Sequence, residues 1–411
     1  MDNIVNFAVL GCGQRGFLMS QLLAKVPGAH IKALCDPYKD KAERTAAKIR
    51  EALGYTPEIF TDSTEALDSG VDAVMIATAW EYHIPLSIEA MKKGIITLME
   101  VGGAYSVQDC FDLVRVYEET KTPIMLLENC CYNKSELLAT ALVRNGLFGE
   151  LVHCEGAYAH DCRDEIANGE RYRHYRLRNY LSRNCENYPT HELGPIAKIL
   201  NINRGNRMTS LVSVASKAAG LEAFINSRED VDKGVKGKRF KQGDIVSTII
   251  TCANGETISM RLDTTLPRHY NRNLTVRGTK GLYEQAANLV YFDGDEESFN
   301  TLKFYTENIN NAEKLEDKYL CDEWKKITTE EIEAGHGGCD AVMLKDVVYR
   351  IQNGLDFPID VYDAASWMVI TALSEISIAN GGAPQEIPDF THGDWIMRKP
   401  EDVVELPVYD K

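Results

Sequence analysis

The sequence predicts an α/β fold with a doubly wound parallel sheet in its first part and an α+β arrangement in its second. Two observations indicate this. Short apolar strands alternate with helical patterns up to about residue 130, as in a parallel sheet covered by helices. From residue 131 onward, alternating apolar and polar stretches are typical of a large, mostly antiparallel sheet. At 411 residues the chain is also too long for one ordinary core, so we predict domains at 1–130 and 131–411.

The first strand and the turn after it carry the clearest local signal. Val5–Leu10 is an apolar run that ends in the turn GCGQRG, and leucines at helical spacing follow. A second strand at 31–34 ends at an aspartate. This strand–turn–helix context is the Rossmann fingerprint, in which glycines let a pyrophosphate approach the backbone and the acid accepts the ribose hydroxyls. An acid there repels a 2′-phosphate, so NAD is favoured over NADP. The expected cofactor residues are Gly11, Gly13, Gln14, Arg15, Gly16 and Asp36.

The alternation continues along the first part. Predicted strands cover 59–60, 71–78, 95–100 and 123–127, and predicted helices cover 39–53, 65–67, 83–93 and the segment from the cap Ser106 to 119. In the second part the predicted strands are 151–158, 208–215, 244–252, 257–264, 275–277 and 281–292. Asn254-Gly255 predicts a two-residue hairpin turn. We expect loops over 294–334 and helices over 134–145, 339–352 and 361–380.

Composition excludes several classes of protein. The formal net charge of −16 argues against nucleic acid or an anionic membrane as partner. Eleven cysteines without a Cys-x-x-Cys pair support neither a disulfide framework nor a zinc site. The sequence lacks a run of about 20 apolar residues and an N-terminal export pattern, so the chain as given is expected to be cytoplasmic.

Candidate cofactor contacts also lie at later strand ends, because ligands bind at the carboxyl ends of parallel strands. The candidates are Thr78, Trp80, His83, Glu100, Glu128 and Asn129. Glu100 and Glu128 could instead face helix N-termini, and His83 could cap its own helix or line the cofactor groove.

Two polar clusters in the second part could carry chemistry. Tyr158-Ala159-His160-Asp161 ends a strand and could equally face solvent. In the segment NYPTHELGP, the proline should keep Tyr188 extended, Thr190 is placed to cap the next helix, and His191 would lie in its first turn. A helix N-terminus disfavours imidazolium, so a neutral general base is reasonable there; an ordinary core or surface histidine is the alternative.

Three further segments are polar but less specific. A basic, aromatic stretch could bind hydroxyls or phosphates, or it could be a solvated loop; its arginines are Arg171, Arg173, Arg176, Arg178 and Arg183. The turns 267–270, which include Tyr270, and 336–340 could complete a pocket. Histidines at 160, 191 and 336 show no ligand spacing, so we predict no metal site.

With these residues in view, the chain resembles the glucose–fructose oxidoreductase and inositol dehydrogenase superfamily along its whole length. More closely, it is similar to the NAD-dependent glycoside hydrolases of family 109, whose best-known activity is α-N-acetylgalactosaminidase. The specific stretches are NYPTHELGP and NINRGNR; the others are GCGQRG, ATAWEYHIPLSIEAMKKG, MEVGG, LLENCCY, EGAYAHDCR, HYRLRNYLSRN, PRHYNRNLTVRGTKG and GHGGCD. Members usually have Glu-Val-Pro where this chain has Glu100-Val101-Gly102, and many begin with an export signal.

The resemblance implies a redox-neutral hydrolysis of a carbohydrate. NAD⁺ oxidises the sugar at C3, a base removes the C2 proton that the ketone acidifies, the C1 substituent leaves, water adds, and C3 is reduced again. By resemblance, the sugar is surrounded by Tyr158, His160, Tyr188, His191 and Tyr270, with His191 as the base. The cofactor should be tightly held, and the second domain would bind the sugar. We also expect the chain to form a homo-oligomer.

Two other functions stay open. One is an NAD(H)-dependent sugar or cyclitol dehydrogenase, although those enzymes usually carry a lysine after the strand-end glutamate and this chain has Val101 after Glu100. The other is a catalytically inactive sugar- or cofactor-binding module, against which the intact polar clusters count.

Overall fold

The computed structural model describes residues 4–294 and 308–409. The chain divides into two compact units, each made of two stretches: Met1–Asn133 with Lys326–Ala365, and Lys134–Lys325 with Ser366–Lys411. The last long helix contains the third boundary, after Ala365.

Helices and strands follow the predicted alternation closely. In chain order the strands are β1 Val5–Leu10, β2 Ala29–Cys35, β3 Glu58–Phe60, β4 Ala73–Ile76, β5 Ile96–Met99, β6 Ile124–Leu126, β7 Leu151–Ala159, β8 Met208–Ala215, β9 Ile245–Cys252, β10 Thr257–Asp263, β11 Thr275–Gly278, β12 Gly281–Glu284, β13 Leu289–Phe292 and β14 Gln385–Glu386. The α-helices are α1 Gln14–Leu23, α2 Lys39–Leu53, α3 Ser63–Leu67, α4 Trp80–Lys92, α5 Val107–Thr120, α6 Lys134–Arg144, α7 Arg163–Ala167, α8 Arg176–Ser182, α9 Thr190–Ile199, α10 Gly220–Asn226, α11 Glu313–Tyr319, α12 Asp322–Lys325, α13 Thr329–Glu333, α14 Cys339–Asn353 and α15 Val361–Ala379. Short 3-10 turns are Asn129–Tyr132, Lys233–Val235, His336–Gly338 and Asp394–Ile396.

The first unit contains a six-stranded sheet in the order β3-β2-β1-β4-β5-β6, and every pairing is parallel. Its central strands are apolar on both faces, since Phe7, Val9, Val74 and Met75 are all fully buried. Strands buried on both sides need helices on both faces, which the alternation supplies. The predicted doubly wound parallel sheet is confirmed.

The second unit contains an eight-stranded sheet in the order β13-β12-β11-β7-β10-β9-β8-β14. Its pairings are antiparallel except that of β7 with β10, in which Tyr158 lies opposite Leu262. Strand β9 alternates buried and exposed residues, so one face of this sheet covers a core and the other is open within the unit. The predicted mostly antiparallel sheet is confirmed.

The hairpin between β9 and β10 differs from the prediction by one residue. Cys252 N donates to Glu256 O at 2.9 Å, which leaves three loop residues instead of two. A two-residue turn of the expected type needs positive φ at both Asn254 and Gly255, and only Gly255 has it, at +100°.

Two other local predictions are wrong. The segment predicted as loops contains helices α11, α12 and α13 in its described part. Helix α11 buries only Tyr319, α12 buries only Trp324 and α13 buries no residue, so these helices leave no periodic pattern in the sequence. The rest of that segment, 295–307, lies outside the described residues. Thr190 does not cap helix α9 but is its first residue, because Pro189 already has helical backbone angles.

Residues 326–365 pack into the first unit, whereas the sequence assigned them to the domain 131–411. Asp340 of helix α14 forms a bidentate ion pair with Arg15 of helix α1. Further along, Leu126 N donates to Ile359 O at 3.2 Å. These contacts join residues more than 200 positions apart, which a pattern of local elements does not reveal.

The described residues include no helix that is long and apolar enough to span a membrane. All eleven cysteines are buried and free of disulfide bonds. Burial raises the pKa of several of their thiols, for example that of Cys185 to about 12, so they act as small apolar side chains.

Candidate functional site

The glycine-rich turn after β1 has the backbone that a dinucleotide needs. Gly11 has φ +92°, and a Cβ there would lie 2.5 Å from Ala77 O. A Cβ on Gly16 would collide with Gly11 O, whereas a Cβ on Gly13 would meet no described atom within 4 Å. Packing therefore requires glycine at positions 11 and 16. Gly13 faces open space, where a phosphate can approach the backbone.

The N-terminus of helix α1 is available to an anion. Gly13 is its N-cap residue, and among the described residues no side chain caps it and no acid lies in its first turn. Gln14 is exposed at this end. Unsatisfied N–H groups and the positive end of the helix dipole favour a pyrophosphate here.

Asp36 follows β2 and is held in a fixed orientation. One carboxylate oxygen accepts from Cys12 N at 2.8 Å and the other from Tyr38 N at 2.9 Å. The carboxylate, only 5% exposed, thus lies beside the glycine-rich turn, as the ribose-binding acid of the fingerprint requires.

Arg15 and Glu100 are brought together from the turn and the end of β5. Arg15 Nε donates to Glu100 Oε1 at 2.8 Å, and the glutamate side chain is 4% exposed. Burial raises the pKa of Glu100. Of the two orientations that the sequence left open for this acid, the structure shows Glu100 facing the glycine-rich turn.

The segment after β4 is well packed. His83 is buried with Nε2 3.1 Å from Thr78 O, and burial lowers its pKa to about 4, so its imidazole is neutral. Trp80 is 4% exposed, and its ring lies against Gly102, where an added Cβ would be 2.6 Å from Trp80 Cδ1. A proline or any larger residue at position 102 would have to move that ring.

Glu128 and Asn129 follow β6 and are both buried. Glu128 Oε1 accepts from Cys130 N at 3.0 Å, so this acid starts the 3-10 turn. Asn129 Nδ2 donates to Asp340 Oδ1 at 2.8 Å. The predicted cofactor residues therefore lie at the carboxyl ends of the parallel strands, in the turns that follow, or in the first turn of the next helix, as Trp80 and His83 do. This edge of a parallel sheet is where ligands bind in open α/β folds.

In the second unit, three of the predicted sugar contacts form one aromatic cluster. Tyr158, at the end of β7, packs on Tyr188 with ring centroids 4.5 Å apart. His191, in the first turn of α9, is edge-on to both tyrosines at centroid distances of 5.6 and 4.8 Å. All three side chains are largely buried, with 4 to 8% exposed. The two polar clusters of the sequence are therefore one cluster in space.

The contact between Tyr158 and His160 bears on which nitrogen of the histidine carries its proton. Tyr158 OH lies 2.9 Å from His160 Nδ1. Burial raises the pKa of Tyr158 well above its ordinary value, and burial with the nearby Arg176 lowers the pKa of His160. The bond therefore joins a protonated phenol and a neutral imidazole, and we assign the phenol as its donor because Arg176 Nη2 already donates to the phenol oxygen. In this assignment the imidazole proton is on Nε2, which is then a hydrogen-bond donor.

Arg176 joins this cluster, although the sequence only placed it in a basic stretch. Its guanidinium lies 5.1 Å from the ring centroid of Tyr188, and Nη2 is 3.5 Å from Tyr158 OH. The arginine is 7% exposed, and its Nε pairs with Glu165 at 2.7 Å. Of the same stretch, Arg183 is also buried and pairs with Glu375, whereas Arg171, Arg173 and Arg178 are exposed.

Tyr270 is the exposed member of the group. Its ring meets His160 edge-on at 5.2 Å, and 46% of the residue is exposed. Arg272 Nη1 donates to its hydroxyl at 3.2 Å, and the same arginine is paired with Glu136. The half-exposed ring of Tyr270 could thus cover a ligand while its hydroxyl is bonded to Arg272.

Two buried carboxyl groups support helix α9 from behind. Those of Glu186 and Glu192 lie next to each other, and Arg261 N donates to Glu192 Oε2 at 3.1 Å. Burial raises the pKa of both groups, so both favour the protonated, neutral form. The sequence alone does not identify this pair, because each glutamate looks ordinary in isolation.

Two family models match consecutive parts of the chain. The one described as "Oxidoreductase family, NAD-binding Rossmann fold" matches residues 5–127. The one described as "Glycosyl hydrolase 109, C-terminal domain" matches residues 132–397.

Curated relatives are similar over nearly the whole chain. An α-N-acetylgalactosaminidase of Tannerella forsythia is 36% identical, and the match covers 97% of this chain and 89% of the relative. An α-N-acetylgalactosaminidase of Shewanella oneidensis is 34% identical over 98% of this chain and 88% of its own length.

Solved structures with the same fold include dehydrogenases. A levoglucosan dehydrogenase in complex with NADH and levoglucosan has a TM-score of 0.70 at 18% identity and covers 93% of this chain and 99% of its own. A myo-inositol 2-dehydrogenase of Lactobacillus plantarum has a TM-score of 0.65 at 15% identity and covers 94% of this chain and 100% of its own. These likenesses show the fold.

Proposed function

Because the chain belongs to glycosyl hydrolase family 109, we propose that it is an NAD-dependent glycosidase that hydrolyses a hexosaminide such as an α-N-acetylgalactosaminide. N-acetylgalactosamine is the sugar in the names of the two relatives, those of Tannerella forsythia and Shewanella oneidensis. The observation that carries the proposal is the cluster of Tyr158, Tyr188 and His191 with His160, which combines aromatic faces, a fixed donor and a histidine available as base.

The proposed reaction separates the redox chemistry from the proton chemistry. Bound NAD⁺ supplies reversible hydride acceptance at C3 of the sugar, so that no net oxidation remains after one turnover. While C3 is a ketone, the C2 proton is acidic. His191 would take that proton while the C1 substituent leaves as an alkoxide. Water would then add its hydroxyl at C1 while the proton on His191 returns to C2, and the remaining proton of the water would go to the alkoxide. The conventional pair of carboxylates of a glycosidase is then unnecessary.

The other residues of the cluster are proposed to bind and orient the sugar. His160 would donate from Nε2 to a sugar hydroxyl, because its Nδ1 is occupied by Tyr158. Tyr188 and Tyr270 would pack on the sugar ring, and Arg176 would donate to its oxygens. His191 is the histidine left to act as the base.

We assign NAD binding to residues 1–130 and sugar binding to residues 131–411. The NAD contacts proposed are Gly11, Gly13, Gln14, Arg15, Gly16, Asp36, Thr78, Trp80, His83, Glu100, Glu128 and Asn129. The open glycine turn and the doubly anchored Asp36 support this assignment.

A sugar or cyclitol dehydrogenase is the competing function, since the solved structures of this fold include such enzymes. The turn after Glu100 counts against it. Val101 and Gly102 stand where those dehydrogenases usually carry a lysine that moves a proton from a hydroxyl.

The test is to incubate the purified protein with p-nitrophenyl α-N-acetylgalactosaminide and a small panel of α- and β-glycosides, with and without added NAD⁺. Nitrophenol and NADH are followed together. Many turnovers of nitrophenol without net NADH are expected. Stoichiometric NADH from free sugars without glycoside cleavage would establish the dehydrogenase instead.

The role of His191 is tested by His191→Ala, which should abolish nitrophenol release while NAD binding persists. His153→Ala is the matched control. His153 lies near the start of β7, away from the strand end that carries Tyr158, and its Nδ1 is hydrogen-bonded to Thr257 Oγ1 at 2.7 Å. Equal loss in both variants would contradict a specific role for His191.

Two broader expectations stay predictions. A homo-oligomer is supported by the open face of the large sheet, where Ile249 of β9 and Val214 of β8 are about half exposed; light scattering during gel filtration measures the mass. A cytoplasmic location fits eleven free cysteines, which persist in a reducing compartment; cell fractionation tests it.

A further inference from the structure

A buried carboxylate, Asp340, links two of the proposed cofactor residues. It is the second residue of helix α14, and its side chain is fully buried. Arg15 binds it bidentately, with Nη1–Oδ2 at 2.7 Å and Nη2–Oδ1 at 2.9 Å. Asn129 Nδ2 donates to Oδ1 at 2.8 Å, and His336 Nδ1 lies 2.7 Å from Oδ2. Four polar contacts thus converge on one carboxylate.

The partners of Asp340 come from the turns that face the cofactor. Arg15 is the second residue of α1, directly after the glycine-rich turn, and its Nε is bound to Glu100. Asn129 follows the last parallel strand. Burial opposes ionisation of Asp340, but Arg15 and His336 outweigh it and hold the pKa of Asp340 well below its usual range. The carboxylate therefore remains charged at any working pH.

We propose that Asp340 is a positioning residue for the NAD site, which holds Arg15 and Asn129 in the conformation that receives the cofactor. The three guanidinium nitrogens of Arg15 donate to the carboxylates of Glu100 and Asp340. Arg15 therefore anchors the start of α1 to α14. Because Asn129 donates its amide N–H to Asp340, its carbonyl oxygen is directed away from that carboxylate. Residues 336–340 thus shape a cofactor site whose residues lie more than 200 positions earlier in the chain.

The proposal rests on NAD as cofactor and is independent of which bond the enzyme cleaves. Asp340→Asn keeps the shape of the side chain but removes its charge and one acceptor. Arg15 and Asn129 then lose a fixed partner, and the site must be ordered by the ligand itself. We expect the Kd for NADH to rise about tenfold, since ordering groups on binding costs affinity.

Asp346→Asn is the matched control. Asp346 lies on the same helix, its side chain is 16% exposed, and it accepts from Tyr132 at 2.8 Å and from Arg350 at 2.9 Å. The Asp346→Asn variant therefore weakens contacts comparable to those of Asp340, but none of them is with Arg15. The readouts are the amount of NAD retained after dialysis, the Kd for NADH from fluorescence titration and the melting temperature without cofactor.

The expected result is weak binding in Asp340→Asn and wild-type binding in Asp346→Asn. In the Arg15→Gln background, Asp340→Asn should add little to the loss, because both changes remove the same contact. His336→Ala is a milder variant, since this side chain is 48% exposed, and it should raise the Kd about threefold.

Wild-type Kd values in both Asp340→Asn and His336→Ala would overturn the proposal. So would equal losses of NADH binding in Asp340→Asn and Asp346→Asn at the same melting temperature, because the effect would then be one of general stability. A protein that binds NADH as expected but hydrolyses no glycoside would refute the proposed function and leave this inference intact.

Discussion

The hydroxyl of Tyr158 lies 2.9 Å from Nδ1 of His160, and the two residues leave the same strand end two positions apart. Since burial favours a protonated phenol and a neutral imidazole, and Arg176 donates to the phenol oxygen, we assign the phenol as donor, which places the imidazole proton on Nε2. In this assignment the two histidines of the proposed site have different tasks: His160 donates to the sugar, and His191 accepts a proton.

Tyr158→Phe tests this arrangement. The ring keeps its packing on Tyr188, but His160 loses the donor that fixes its proton, and Arg176 loses an acceptor. We expect kcat/KM for the glycoside to fall about 100-fold, which is the size of a typical general acid–base contribution. Steady-state kinetics with a nitrophenyl glycoside measure it.

Tyr180→Phe is the control for Tyr158→Phe. Tyr180 is also fully buried, and its hydroxyl is 2.6 Å from Thr264 Oγ1. Both variants should lose similar stability, and only Tyr158→Phe should lose activity. Unchanged activity in Tyr158→Phe would show that the proton position on His160 is irrelevant to turnover.

Arg176→Lys separates charge from shape in the same cluster. Lysine keeps the positive charge but cannot reproduce a planar guanidinium over Tyr188 together with the pair to Glu165. We expect KM to rise about tenfold with a smaller change in kcat, because the arginine is proposed to bind the sugar. Arg183→Lys, at the buried pair with Glu375, should leave KM unchanged. A kcat that collapses at constant KM would contradict a binding role.

Local elements of this fold could be read from the sequence because their signals are local. Helix Lys39–Leu53 and strand Met208–Ala215 have the predicted bounds, and the capping residue Ser106 accepts from Asp109 N as expected. Each depends on side chains within one element: an amphipathic repeat, an alternating pattern or a cap.

Long-range pairs could not be read in this way. Arg15 and Asp340 are 325 residues apart, and an aspartate after Gly-Gly-Cys carries no sign that it will be buried against a glycine-rich turn. Arg176 was one of five arginines in a short stretch, and only the folded chain separates it from exposed neighbours such as Arg178. Candidate residues on strand ends were predictable because the fold class fixes where strands end; their partners were not.

Gly156→Ala should disturb the proposed base, His191, through the contact between strand β7 and helix α9. A Cβ on Gly156 would lie 2.8 Å from Glu192 O and 3.1 Å from Glu192 Cβ, so the first turn of α9 would have to move away from β7. His191 precedes Glu192 and would move with it. We expect a loss of about 1–3 kcal/mol in the free energy of unfolding and lower kcat. Denaturant unfolding and kinetics measure both; wild-type values would mean that the helix yields without cost.

Glu186→Gln should change how stability depends on pH. Burial raises the pKa of Glu186 and of its partner Glu192, so the folded protein holds a proton that the unfolded chain releases above about pH 4.3. The stabilising contribution of the pair is therefore complete below that pH and is lost as pH rises through the raised folded-state pKa. Glutamine removes one titrating group while it can still donate to Glu192, so the fall of stability toward alkaline pH should become shallower. Glu375→Gln, at the ion pair with Arg183, should leave that slope unchanged. The free energy of unfolding in urea, measured from pH 5 to 9 for the three proteins, tests this; parallel curves for wild type and Glu186→Gln would mean that the carboxyl pair holds no proton.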